Sequence, residues 1–139
     1  MTKEQIQQEI QILKHKINVA NNNINGYLND IKKLERAFDD TNRLKSTFQR
    51  EVQEYCDSVN SSLNRLDSNS TFKDYYYTKL KKTVHSKEYG QVMESIDKNR
   101  QDLLNRIDNY EQTIKTQRNN VQRYSNRLEY LKIELTKMV

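Results

Sequence analysis

The chain has 139 residues, with 31% charged residues, no Pro, no Trp, two Gly and one Cys. That length allows one domain, and the composition argues against a sheet, a loop-rich enzyme and an internal disulfide framework. A mean hydropathy of −1.09 raises disorder as an alternative, while the formal net charge of +5 is modest.

The first predicted element is an α-helix over residues 2–66. Thr2-x-x-Gln5 has the form of a capping box at its start. With Ile10 at position a of a heptad, 14 of 17 a and d sites as far as Leu66 are apolar or aromatic, and only Thr41, Lys45 and Ser62 are polar. Chance would place roughly six there. Disordered polar chains do not keep apolar residues in phase over so many heptads. Apolar residues alternating at three and four positions form one narrow stripe, as on a coiled-coil seam. Asn21-Asn22-Asn23 and Gly26 are poor helix formers inside the pattern. Ile24, Tyr27 and Ile31 keep their phase through them, so a soft spot or kink is expected there rather than an end. Cys56 falls at an e site and reads as a half-buried small apolar residue.

A polar turn is expected at residues 67–71, where Asp, Ser, Asn, Ser and Thr follow one another. Thr71-x-x-Asp74 would cap a short helix over residues 72–84, with Phe72, Tyr76, Leu80 and Val84 on one face. A break is expected near His85 to Lys87, after which the seam returns over residues 87–138. There 12 of 14 a and d sites are apolar or aromatic, the exceptions being Arg100 and Gln117. Two arms of matched length joined by a short turn predict an all-α, elongated antiparallel helical hairpin, coiled-coil-like, forming a single domain.

Enzyme chemistry finds little purchase. Two His, one Cys and no Gly-rich loop leave no nucleophile–base pair, phosphate cradle or metal-spaced cluster, so no catalytic residue, metal ligand or cofactor is expected. The positive excess lies after residue 70, with fourteen Lys or Arg against nine acids. Lys79, Lys81 and Lys82 beside Tyr75-Tyr76-Tyr77 make a basic tip that could stack bases and hold phosphates. The plainer reading, tyrosines packed at the end of a helix pair and lysines in water, is favoured, and nucleic-acid binding is not expected.

The seam itself is the better candidate surface. An under-filled stripe with polar interruptions can take a further helix on its open side. Phe38, Phe48, Val52 and Tyr55 flank the Thr41/Lys45 interruption and are the candidate partner-binding residues, because large buried rings dominate interface energy. A self-associating structural coiled coil, as a homodimer, fits the same pattern, and a weak nucleic-acid binder is the third reading.

Tyr130-x-x-x-Glu134 lies near the end of the last helix. With this motif on a small helical hairpin, the chain resembles the WXG-type proteins of Gram-positive type VII secretion. It is closer to the longer, Trp-poor YwqH-like partners that accompany LXG toxins. The resemblance implies a non-enzymatic adaptor that binds the helical domain of a cognate effector, or a second small helical partner. It also implies that Tyr130 and Glu134 present an export signal. No Trp-x-Gly occurs in the turn, and neither Phe72 nor Tyr89-Gly90 keeps its spacing. The N-terminus has no apolar signal-peptide region and no run approaches a membrane span. A cytoplasmic protein, or one secreted without a cleaved signal peptide, is therefore expected.

Overall fold

A computed structural model describes residues 1–66 and 70–138. Three helices account for nearly all of them: α1 (Lys3–Leu66), α2 (Ser70–Val84) and α3 (Lys87–Lys137). No strand occurs among the described residues. The start of α1 is fixed by the capping box. Gln5 N donates to Thr2 Oγ1 at 3.2 Å, and Thr2 N donates back to Gln5 Oε1 at 2.8 Å. Two amides that the helix itself leaves unpaired are thereby satisfied. The helix continues through Asn21-Asn22-Asn23 and Gly26.

Of the expected turn, residues 67–69 lie outside the described residues, and α2 already begins at Ser70, two residues earlier than the expected start. The break after α2 falls at His85 and Ser86. Ser86 O accepts from Gly90 N at 3.1 Å, the first hydrogen bond of the next helical turn.

The chain divides into two compact units, one of Met1–Glu35 with Asn105–Val139 and the other of Arg36–Leu104. In the first, which holds both termini, Ile6, Ile10, Leu13, Leu128 and Leu131 form a buried cluster on which Ile17, Tyr124 and Leu135 pack. Ile24, Ile31 and Ile114 form another, flanked by Tyr27 and Tyr110, whose ring centroids lie 5.7 Å apart. These are a and d residues of the predicted seam, and Leu28, a flanking e residue, packs on the second cluster. At the edge, Arg127 grips Glu9 through Nε at 3.0 Å and a terminal nitrogen at 3.3 Å, and Lys16 sits over the Tyr124 ring.

The unit of Arg36–Leu104 buries less. Among the described residues its buried side chains are Cys56 and Ile96, whereas ten are buried in the other unit. Here the seam departs from strict heptads. Tyr55, expected at a d site, is 57% exposed, and Cys56, expected to be half-buried, is 0% exposed. Burial along α1 thus steps through Phe48, Val52, Cys56, Val59 and Leu63. The two successive steps of four insert a stutter into the heptad pattern. In α2 the predicted face is also rotated. Tyr77, Leu80, Lys81 and Val84 are half-buried, as is Lys73, while Phe72 and Tyr76 are exposed. Each step of four overshoots the 3.6-residue turn by about 40°, so a row of fours wanders off the buried face.

Candidate functional site

The polar interruption of the seam is closed from within the chain. Lys45, an a residue on α1, donates through Nζ to Asp97 Oδ1 on α3 at 2.8 Å. Arg100, one turn along, donates to the same oxygen at 3.2 Å. Its guanidinium carbon stands 5.4 Å from the centre of the Phe38 ring. Asp97 is held below its ordinary carboxylate value, first by the Lys45 hydrogen bond; desolvation opposes this and the Arg100 hydrogen bond adds to it. Thr41 satisfies its hydroxyl within α1, donating to Ala37 O at 2.8 Å. Arg100 Nε is buried and finds no hydrogen-bond partner among the described residues.

The four candidate partner-binding residues therefore differ in kind. Phe38 lies half-buried under Arg100, and Phe48 half-buried against Tyr89, its ring stacked at 5.4 Å and 21°. His85, from the break after α2, tilts onto the other side of Tyr89 at 4.8 Å. Val52 is half-buried, and only Tyr55 is exposed. Asp97 and Tyr89 were missed from sequence. The available signal was that Lys45 and Arg100 are polar seam residues on different arms, with one acid, Asp97, beside the second.

Tyr130 and Glu134 are engaged by separate cations. Tyr130 is 53% exposed, with the Arg127 guanidinium 5.3 Å from its ring centre. Glu134 Oε1 accepts from Lys137 Nζ at 3.2 Å. In the basic tip, Lys79 and Lys82 are exposed, whereas Lys81 is half-buried with its ammonium 5.0 Å from the Tyr77 ring centre. Tyr77 is tied to α1 by its hydroxyl, which donates to Asp57 Oδ1 at 3.3 Å.

Among the described residues, no group of three or more His, Cys, Asp or Glu side chains could hold a metal ion. No helix among them is long and apolar enough to cross a membrane. No protein-family profile matches the chain, and neither a curated protein nor a solved structure shows significant similarity to it.

Proposed function

We propose that this chain is an antiparallel helical hairpin that works as a non-enzymatic adaptor, binding the helical domain of a cognate secretion effector. The hairpin reading is supported by the order of contacts. In one unit Glu9, Lys16 and Tyr27 meet Arg127, Tyr124 and Tyr110. In the other, Phe38, Lys45, Phe48 and Asp57 meet Arg100, Asp97, Tyr89 and Tyr77. In each unit the partner's number falls as α1 advances, as expected of arms running in opposite directions.

The observation that carries the adaptor reading is the half-covered seam of Arg36–Leu104. Phe38, Val52, Val59, Met93 and Leu103 keep part of their surface in water, around Cys56 and Ile96, the two buried side chains among the described residues of that unit. A further apolar helix laid on that stripe would remove it from water, at about 25 cal/mol for each Å² covered. The type VII assignment of the effector comes from the resemblance of Tyr130-x-x-x-Glu134 and the helical architecture to the YwqH-like partners. A second copy of the chain could cover the same stripe.

The test is size-exclusion light scattering of the chain alone and with the N-terminal domain of an effector encoded beside it. A one-to-one complex with the effector domain, formed from a monomer, supports the adaptor. A stable dimer that ignores the effector domain supports self-association instead.

A further inference from the structure

The rotation of α2 turns a chemically distinct face outward. With Leu80 and Val84 turned inward, the opposite side presents Phe72, Tyr75, Tyr76, Lys79 and Lys82. At 100° per residue these five fall within about a third of the helix circumference. Tyr75 is 61% exposed, Phe72 46% and Tyr76 45%, an exposure of aromatic surface seldom left without use. The rings form one contiguous patch. Phe72 tilts onto Tyr76 at 4.4 Å, and Tyr75 meets Tyr76 edge-on at 5.7 Å. Asp74 is the one acid in α2, against Lys73, Lys79, Lys81 and Lys82.

We propose that this face of α2 docks on an anionic phospholipid bilayer, with the rings at headgroup depth and Lys79 and Lys82 on the lipid phosphates. Tyrosine suits that depth because its ring is apolar and its hydroxyl is wet. Lysine stems lie along apolar surface while their ammoniums reach the phosphates. The shape also fits a flat partner. Among the described residues, the groove beside Tyr75, Lys79 and Lys82 is lined by α2 side chains, with Thr71, Asp74 and Thr78 completing it, so the Tyr75 ring stands on an outward helix face. Single-stranded nucleic acid fits less well, since it needs a channel and open ring faces for the bases. Here Tyr76 is covered on two sides by its neighbours. A short helix with two outward lysines gives weak, reversible, salt-sensitive attachment.

The full chain, which has no Trp, carries Tyr75→Trp as its reporter. It is titrated with phosphatidylcholine vesicles with and without phosphatidylserine. The expected result is a blue shift of emission and co-sedimentation with the anionic vesicles, both reversed by salt. Lys79→Gln with Lys82→Gln lowers the partition coefficient roughly 30-fold. Phe72→Ser with Tyr75→Ser lowers it at constant charge, with helix content followed by circular dichroism. Should that ring variant lose helix, the exposed lysine pair alone decides. Equal or absent binding to the two vesicle types overturns the proposal, as does a lysine variant that binds like wild type. Salt-sensitive binding to a single-stranded oligonucleotide without vesicle binding overturns it in favour of nucleic acid.

Discussion

Lys45 Nζ and Asp97 Oδ1, 2.8 Å apart, join α1 to α3 where the apolar seam turns polar. The Lys45 hydrogen bond holds the Asp97 carboxyl below its ordinary value of 3.8. A carboxyl lowered in the folded state contributes stability that is complete above its unfolded value. That stability is lost as pH falls through the lowered folded value. Asp97→Asn is therefore expected to flatten the acid limb of stability below about pH 4 and to lower the urea midpoint at neutral pH. Denaturation midpoints of both proteins from about pH 2 to 7 test it. Parallel acid limbs would remove Asp97 from the account.

Leu131 is 1% exposed at the centre of the cluster that closes the two ends of the chain together. Leu131→Ala should destabilise the protein by about 3 kcal/mol, since a cavity adds to the lost burial. Leu44→Ala, at 58% exposure, should change stability by less than about 0.5 kcal/mol. Urea unfolding followed by circular dichroism compares them, and equal losses would show that the cluster is not the core.

Gly26 stands inside α1, and a Cβ added there would meet nothing within 4 Å. No close approach requires the glycine, so its effect is on the flexibility of the unfolded chain. Gly26→Ala is expected to raise stability by about 0.5–1 kcal/mol. An unchanged or lowered midpoint would place a hidden constraint at the Asn21–Gly26 stretch.

The residues of the seam between Ile6 and Leu34 were legible because they keep strict three–four spacing against an equally regular second arm. The capping box and the break at His85 were legible as local chemistry, each written in a few neighbouring residues. Tyr55 and Cys56 were exchanged for a physical reason. A straight helix falls about 20° short of a 3.5-residue repeat at each heptad. Between Ile10 and Tyr55 lie more than six heptads, a drift that exceeds the roughly 100° between neighbouring residues. Strict counting therefore lands one residue early, unless supercoiling or a stutter corrects it. The ring faces of α2 and the Lys45–Asp97–Arg100 cluster were not legible, because each depends on how far one helix is rotated against another.

That exchange has its own test. Cys56→Ser places a hydroxyl at a site with no exposure and should cost about 1–3 kcal/mol. Tyr55→Ser should cost less than about 0.5 kcal/mol. The Cys56 thiol should react with a disulfide reagent far more slowly in the native protein than in denaturant. Prompt native labelling, together with a destabilised Tyr55→Ser, would restore the strict heptad.

The proposed export motif yields the sharpest division between folding and function. Tyr130 stands outward beside Arg127, and Arg127 is anchored in turn by two contacts to Glu9. Glu134 lies one turn on, paired with Lys137, while neighbouring Leu131 and Leu135 belong to the packed cluster. A ring and a carboxylate on the margin of a packed helix can be altered without opening the core. Tyr130→Ala and Glu134→Ala should each leave stability and effector binding within about 0.5 kcal/mol. If the pair is read by a secretion ATPase, both changes abolish secretion of the adaptor–effector complex. Leu131→Ala is the contrasting control, lowering secretion only in proportion to lost folded protein. Secretion of the double variant at the wild-type level would leave Tyr130 and Glu134 as ordinary surface residues and remove the export role from this chain.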